Sequence, residues 1–261
     1  MNVVVCLKQV PGTTEVKIDP QTNTLIRQGI ENIINPLDSY ALEEGVRIRE
    51  RYGGKVTAIS MGPPQAEEML KEAISLGADG AVLLSDRDFA GADTWATAGT
   101  LAAGVRKLQQ TDIVICGRQT LDGDTGQVGP EVAEMLGIPF VAYVSRIEEM
   151  AEGYIRVQRM VEDGHEIIES PLPAVITVVK EINTPRLPSL RGIAMSKRTV
   201  IPTWTAGELD IEQDKIGLAG SATRVVKIFF PQRDCQAEIL QGDPESQAER
   251  LVSKLKEAGL V

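Results

Sequence analysis

Short apolar runs alternate with helical patterns over the first part of the chain. The run at 3–7 is continuous, as expected for a strand that is covered on both faces of a sheet. Similar runs occur at 56–60, 81–84, 113–116 and 141–144. Between them, apolar residues recur at the three- and four-residue spacing of amphipathic helices. This alternation predicts right-handed crossovers and a doubly wound, mostly parallel sheet in an α/β fold.

Turn and capping residues set the limits of the predicted helices. The first helix begins in the turn at 35–39 and ends at the glycine pair 53–54. Asp93 is a suitable N-terminal cap for a later helix. The remaining helices are predicted at about 65–76, 93–109 and 127–136.

The pattern becomes antiparallel and then irregular towards the C-terminus. Alternating residues at 154–159 and 167–168 flank a turn, which predicts an antiparallel hairpin. The other predicted features are a hairpin within 14–30, a buried strand at 173–179, an irregular segment at 183–220, a late strand at 225–230 and an amphipathic helix at 244–258. We therefore expect an α/β domain over 1–182 and an extended C-terminal arm, late strand and helix over 183–261.

Composition and charge exclude several classes of protein. The 37 acidic and 27 basic residues give a net charge of −10, which argues against nucleic-acid binding. Three scattered cysteines and one histidine supply neither a disulfide framework nor a multi-histidine metal site, so no metal is expected. The N-terminal apolar run is too short for a signal peptide, and no stretch is long enough for membrane insertion. We expect a cytoplasmic location.

The glycine-rich segment at 117–129 is the strongest candidate for a binding site. It leaves a buried strand and enters a helix, the position at which doubly wound sheets bind ligands. Gly123, Gly126 and Gly129 allow the backbone to approach a ligand closely. The N–H groups near Gln127 would favour a phosphate, because a helix dipole is positive at its N-terminus. The alternative is an ordinary glycine-rich turn with an acidic cap.

The acidic residues of this segment have a separate interpretation. Asp122 and Asp124 would repel a phosphate if they pointed towards it, so they either cap backbone amides or bind a hydroxyl or a base N–H. The spacing matches neither the GxGxxG fingerprint nor the GxxxxGK[ST] loop.

Two other strand ends, at 6–8 and 60–63, should face the same crevice, and the turn at 35–38 could join them. Each of them could equally be a packed strand terminus. Cys6 has no neighbouring base, which disfavours a nucleophile. We identify no catalytic residue and therefore do not expect a stand-alone enzyme.

The predicted hairpin carries a family resemblance. Residues 157–168, VQRMVEDGHEII, and 173–177, PAVIT, resemble the signature of the electron transfer flavoprotein β subunit. The glycine segment, the turn at 35–36, the strand end at 60–63 and the arm at 183–190 are also similar to that family. The resemblance covers essentially the whole chain in the right order.

The resemblance implies a Rossmann-like, adenine-nucleotide-binding fold that pairs with an α subunit carrying one FAD. In the respiratory type, the β subunit holds AMP as a structural ligand and has no redox centre. In the electron-bifurcating type, it holds a second FAD, which accepts hydride from NADH. Electrons then pass to the α-subunit FAD and to a partner, an acyl-CoA or other flavin dehydrogenase.

The resemblance also transfers residue roles onto this sequence. By this resemblance, the arm of the chain around Leu190 would dock partner dehydrogenases, and the C-terminal region would pack on the α subunit. Its nucleotide contacts fall on Cys6, Asn35, Pro36, Leu37, Asp38, Met61, Gly117, Arg118, Gln119, Asp122, Gly123, Asp124, Thr125, Gly126, Gln127 and Val128.

The choice between FAD and AMP depends on the size of the residues in the glycine segment. Where this chain has Asp38, the respiratory type usually has cysteine, and it has bulkier residues where this chain has Gly123, Gly126 and Val128. The smaller residues resemble the bifurcating type and leave room for a pyrophosphate and a ribityl chain, so FAD is favoured over AMP. A stand-alone nucleotide sensor is a third hypothesis, which the extended arm at 183–220 disfavours.

Overall fold

The computed structural model describes residues 1–12, 32–226 and 237–261, together with the backbone of 17–18 and 25–26. The strands of the described residues are β1 (Asn2–Cys6), β2 (Gln9–Pro11), β3 (Lys17–Ile18), β4 (Leu25–Ile26), β5 (Asn32–Ile34), β6 (Lys55–Met61), β7 (Gly80–Leu84), β8 (Ile113–Gly117), β9 (Phe140–Ala151), β10 (Tyr154–Val161), β11 (Gly164–Pro171), β12 (Ala174–Val178) and β13 (Thr203–Trp204). Their α-helices are α1 (Pro36–Tyr52), α2 (Ala66–Ser75), α3 (Thr94–Leu108), α4 (Val128–Leu136), α5 (Leu190–Ser196) and α6 (Pro244–Glu257).

A nine-stranded sheet organises the fold, in the order β11-β10-β9-β12-β8-β1-β6-β7-β13. Neighbouring strands pair in parallel throughout the part β9-β12-β8-β1-β6-β7-β13. At the other edge, β10 pairs antiparallel with both β9 and β11. The predicted mostly parallel α/β sheet with an antiparallel hairpin is therefore confirmed.

The strand order reverses at β1, which lies between β6 and β8. From β1 the chain moves outward through β6 and β7, and it then returns to the other side of β1 to form β8. Ligands of doubly wound sheets bind in the crevice at the carboxyl ends of the strands at such a reversal. The segments that follow β1 and β8 are thus the first place to look for a site.

Helices cover both faces of the sheet because successive residues of each buried strand point to opposite sides. Val3 and Val5 pack in one apolar cluster with residues of α1 and α2. Val4 and Cys6 pack in a second cluster with residues of α3 and α4. The continuous apolar run of β1 therefore reflects burial on both of its faces.

The region that the sequence pattern left irregular contains regular elements. Within 183–220, the short helix α5 lies near α2, and β13 adds a parallel strand beside β7. The pattern did not show β13, because a strand of two residues has no measurable periodicity. The predicted strand at 141–144 is the first part of the longer β9, whose pairing with β10 and β12 contains register shifts.

Two other predicted elements lie partly outside the described residues. The hairpin within 14–30 is represented by the pairing of β3 with β4, and the rest of it lies outside the described residues. For the late strand at 225–230, residues 227–230 lie outside them, and 225–226 have no regular structure.

The chain divides into two compact units, 1–225 and 226–261. The second unit contains the predicted C-terminal helix, α6, whose N-terminus is capped by Asp243. Glu238 forms ion pairs with Arg250 and Lys254 of that helix. A domain boundary at residue 182 stays a prediction. Among the described residues, no helix combines the length and the apolar character needed to cross a bilayer.

Close packing of α1 on β1 predicts opposite effects for two glycine-to-alanine changes. A Cβ at Gly45 would lie 2.9 Å from Val5 Cγ2 and 3.2 Å from Val3 Cγ1, whereas a Cβ at Gly99 of α3 meets only Ile211 Cδ1 at 3.6 Å. Overpacking costs about 1–3 kcal/mol, and removing a helical glycine contributes up to about 1 kcal/mol of stability. Gly45→Ala should lower the free energy of unfolding and Gly99→Ala should raise it. Urea denaturation measures both, and shifts of the same sign would contradict the packing argument.

Candidate functional site

The floor of the crevice is formed by two cysteines at the carboxyl ends of neighbouring strands. Cys6 of β1 lies opposite Cys116 of β8 in the parallel register, and both are buried on the face covered by α3 and α4. The hydrogen bond with Cys6, together with burial, raises the pKa of Cys116 well above its usual value. Cys116 therefore remains a neutral thiol near neutral pH, consistent with a packing role for this residue.

Asn35 joins the segments that follow β1 and β8. It is fully buried at the start of α1, and its backbone N–H donates to the Lys8 carbonyl at 2.9 Å. Its side-chain Nδ2 donates to the Gln119 carbonyl at 2.9 Å, and its Oδ1 accepts from the Leu121 N–H at 3.1 Å. One amide side chain thus holds the glycine segment against the β1 end of the crevice.

Asp38 fills the space beside Gly117. Its buried carboxylate accepts a hydrogen bond from the Lys8 N–H at 2.8 Å. Burial raises the pKa of Asp38 to about 7, although hydrogen bonds involving Asn35, Lys8 and Gly117 act to lower it. A Cβ on Gly117 would lie 2.3 Å from Asp38 Oδ1, so only glycine permits this approach.

An ion pair links the two sides of the crevice nearer its surface. Lys8 Nζ lies 2.7 Å from both carboxylate oxygens of Asp122. Partial burial acts to raise the pKa of Asp122, but the hydrogen bond and the charge of Lys8 outweigh it and lower the pKa. Lys8 lies in the strand end at 6–8 that was predicted to face the crevice, but it was not among the predicted nucleotide contacts, and its pairing with Asp122 was not predicted.

The glycine segment has a tight backbone conformation with positive φ angles, which lets the main chain approach a ligand closely. Gly126 has a φ of 65°, and Asp124 has a φ of 51°. The Asp124 N–H donates to the Thr120 carbonyl at 2.9 Å, and Gln119 Nε2 donates to the Asp124 carboxylate. These bonds close a compact turn immediately before α4.

The N-terminus of α4 follows this turn without a side-chain cap. The residue at its N-cap position, Gln127, makes no capping hydrogen bond in the described structure. Gly129 in the first turn packs so closely that a Cβ would lie 2.5 Å from Thr177 Cγ2. The first N–H groups of a helix have no intrahelical partner, so this end offers donors to an anion.

Thr94 at the start of α3 lies beside two side chains at the N-terminus of α4. Thr94 Oγ1 lies 3.3 Å from Gln127 Oε1 and 3.0 Å from Glu131 Oε1. Burial raises the pKa of Glu131 although the hydrogen bond with Thr94 acts to lower it, and its Oε2 is buried without a described partner. Gln127 was a predicted site residue, whereas Thr94 and Glu131 are revealed only by the proximity of the α3 and α4 N-termini.

The remaining predicted residues have varied surroundings. Met61 ends β6, and Pro36 and Leu37 form the first turn of α1 beside Gly117. The guanidinium of Arg118 lies over the Tyr143 ring, with 4.9 Å between Cζ and the ring centroid. Leu190 begins α5, which lies near α2, and its side chain is exposed.

Taken together, these contacts join the segments that follow β1 and β8 through both side chains and backbone. Asn35 and Asp38 connect the two segments above the cysteines, the Lys8–Asp122 pair connects them nearer the surface, and the loop at 123–126 leads to the N-terminus of α4. Backbone donors and permissive glycines are suited to bind a phosphate group and its attached sugar. The arrangement therefore favours ligand binding.

Comparison with known proteins gives matches over most of the chain. A family model described as electron transfer flavoprotein domain matches residues 22–209. The electron transfer flavoprotein subunit beta of Thermoanaerobacterium thermosaccharolyticum is 52% identical over 257 residues, 98% of each chain. Subunit CarD of the caffeyl-CoA reductase-Etf complex of Acetobacterium woodii is 46% identical over 100% of both chains. Protein FixA of Azotobacter vinelandii is 42% identical over 98% of this chain and 94% of its own.

The raised pKa of Asp38 predicts a pH dependence of stability. Between its ordinary value of 3.8 and about 7, the folded protein binds more protons at Asp38 than the unfolded chain does. The contribution of Asp38 to the free energy of unfolding therefore falls as pH rises through this interval. Asparagine cannot ionise, so Asp38→Asn should make the fall in the free energy of unfolding over this interval smaller by up to a few kcal/mol, since one pKa unit is about 1.4 kcal/mol.

Urea denaturation at several values of pH between 4.5 and 7.5 measures this slope. The asparagine also loses an acceptor for a backbone N–H, so absolute stability is not the readout. Asp112→Asn is the matched control, because Asp112 also accepts from a backbone N–H, that of Asn2 at 2.6 Å, but lies at the other end of the sheet. Parallel curves for the wild type and Asp38→Asn would show that Asp38 does not titrate in this range.

Proposed function

As the chain belongs to the electron transfer flavoprotein family, we propose that it is a β subunit that binds FAD in the crevice after β1 and β8. NADH is the proposed electron donor, and the proposed reaction is flavin-based electron bifurcation. FAD, when bound, supplies the hydride and electron chemistry, and the protein supplies binding and orientation. We place the complex in the cytoplasm.

The observation that carries this proposal is the glycine loop joined to the uncapped N-terminus of α4. Gly126 has the left-handed φ of 65°, and the side chain of Gln127, the N-cap residue, makes no capping hydrogen bond in the described structure. The N–H of Gln127 itself donates to Thr125 Oγ1 at 3.5 Å. We assign the pyrophosphate to the backbone of 125–128. Asn35 and Asp38 hold the two walls of the crevice together, and the Lys8–Asp122 ion pair links them nearer the surface.

Small residues in the loop support FAD over AMP. A Cβ on Gly123 would lie 3.3 Å from Thr120 Oγ1 and 3.9 Å from Lys8 Nζ, so any side chain there would narrow the crevice. The full-length match to CarD, named as a subunit of a reductase-Etf complex, is consistent with this choice. The alternative is the respiratory type, with AMP as a structural ligand.

The proposed partners are an α subunit and an acyl-CoA or other flavin dehydrogenase. Leu187 and Leu190 are each 88% exposed, and the neighbouring Arg191, Lys197 and Arg198 are also exposed. Such an apolar tip with basic neighbours suits an apolar pocket with an acidic rim. We assign residues 183–261 to contacts with these partners, with Leu190 as the docking residue for the dehydrogenase. Full-length similarity to named subunits disfavours the stand-alone nucleotide sensor.

The identity of the bound nucleotides tests the function directly. The chain should be purified with its α subunit, and the nucleotides released on denaturation should be separated and counted. We expect two FAD per heterodimer, and anaerobic NADH should bleach the flavin absorbance. One FAD and one AMP per heterodimer, with no bleaching by NADH, would establish the respiratory alternative instead.

A substitution at Gly126 tests the location of the site. Gly126→Val should remove most of the nucleotide assigned to this chain, because a β-branched residue at positive φ costs roughly 1–2 kcal/mol and displaces the loop. Gly137→Val is the matched control: it ends the same helix with a φ of 68°, and nothing lies within 4 Å of its Cβ position. The control should lose similar stability and keep its nucleotide. Unchanged nucleotide content in Gly126→Val would place the ligand elsewhere.

A further inference from the structure

The segment that leads into α5 is fixed to α1 by an ion pair between the partly exposed Arg186 and the buried Glu43. Glu43 in the middle of α1 is only 5% exposed. Arg186 Nε donates to Glu43 Oε2 at 2.8 Å, and Arg186 Nη2 donates to Glu43 Oε1 at 3.2 Å. The backbone N–H of Arg186 also donates to Glu43 Oε2 at 3.2 Å. Both the side chain and the backbone of the segment are therefore fixed at this residue.

A second carboxylate completes the contact. Arg186 Nη1 donates to Glu50 Oε1 at 2.6 Å, and Nη2 donates to Glu50 Oε2 at 3.0 Å. Burial acts to raise the pKa of Glu43, but its hydrogen bonds with Arg186 and Arg47 outweigh that effect and lower the pKa. Charged, bidentate hydrogen bonds of this kind specify one geometry, which lysine cannot reproduce.

The same segment has a second fixed point at Gly192 in α5. A Cβ at Gly192 would lie 2.2 Å from the carbonyl oxygen of Ser75 at the end of α2, so α5 approaches α2 closely. Between Arg186 and Gly192, Leu187 and Leu190 are each 88% exposed. The two attachments thus flank a short segment at 187–191, here called the bridge, whose leucine side chains are exposed to solvent.

We propose that Arg186, through its ion pair with Glu43, is the positioning residue of the dehydrogenase-docking segment. This inference rests on the proposed docking role of Leu190 and adds Leu187 as a second contact. The bidentate pair holds the bridge in one arrangement before the partner arrives, so less ordering entropy opposes association. The ion pair should affect docking and not nucleotide binding. Arg186 contacts Glu43 and Glu50 of α1, and it makes no described contact with the crevice residues at the start of that helix.

The test uses the heterodimer with its α subunit and a purified acyl-CoA dehydrogenase that the wild-type complex reduces. Arg186→Ala should speed amide hydrogen exchange over 187–196 about tenfold, and it should raise the KM for the dehydrogenase about tenfold with kcat unchanged. Nucleotide content should be unchanged. Arg186→Lys, which keeps the charge without the bidentate geometry, should give intermediate values and serves if the alanine variant does not fold.

Arg47→Ala is the matched control. Arg47 donates to the same carboxylate, with 2.8 Å between Arg47 Nε and Glu43 Oε1, but it belongs to α1 and not to the bridge. This variant should change neither exchange over 187–196 nor the KM. An equal effect of Arg47→Ala and Arg186→Ala would assign the result to loss of a cation near Glu43 and overturn the positioning role.

Leu190→Ala separates the two proposals. It should raise the KM with normal exchange over the rest of the bridge. If Leu190→Ala raises the KM and both Arg186 variants leave it unchanged, docking stands and the positioning inference is wrong. If Leu190→Ala has no effect on the KM, the docking role itself fails and the positioning inference fails with it.

Discussion

The packing of α1 against the parallel sheet is the contact on which both functional regions depend. Gly45 brings the helix against the valines of β1, where any larger residue would meet their methyl groups. The N-terminal end of this helix then carries Asn35 and Asp38 to the crevice, and its middle carries Glu43 to the arm. A single helix therefore sets the geometry of the proposed cofactor site and of the proposed docking segment.

The buried carboxylates of α1 show how this arrangement is specified. Asp38 and Glu43 are each 5% exposed. Burial outweighs the hydrogen bonds at Asp38 and raises its pKa, whereas the hydrogen bonds and charges of the arginines together outweigh burial at Glu43 and lower its pKa. A buried carboxylate is costly unless it accepts hydrogen bonds. Each of these two carboxylates therefore favours the one arrangement in which the neighbouring segments donate hydrogen bonds to it. The resulting contacts contribute conformational specificity to regions that have little regular structure of their own.

The composition of the chain agrees with a division of labour between protein and cofactor. The sequence has one histidine and no residue that we identify as a general base with a partner. The proposed cofactor site is instead built from backbone amides, glycines, the buried side chains of Asn35 and Asp38, and the Lys8–Asp122 ion pair. Basic residues gather in the arm of an otherwise acidic chain, in keeping with an arm that contacts other proteins.

The sequence alone determined the mostly parallel α/β sheet, since apolar periodicity is a local feature of the chain. It also carried the family resemblance, in the residues at 157–168 and 173–177, and it predicted the glycine segment as a binding site. Only the tertiary structure decided which side chains meet. Lys8 pairs with Asp122 across 114 residues, and Arg186 pairs with Glu43 across 143. Likewise, β13 joins the sheet only because β7 offers it an edge. Such pairings depend on where distant segments are brought together by the fold, and no local pattern in the chain records that position.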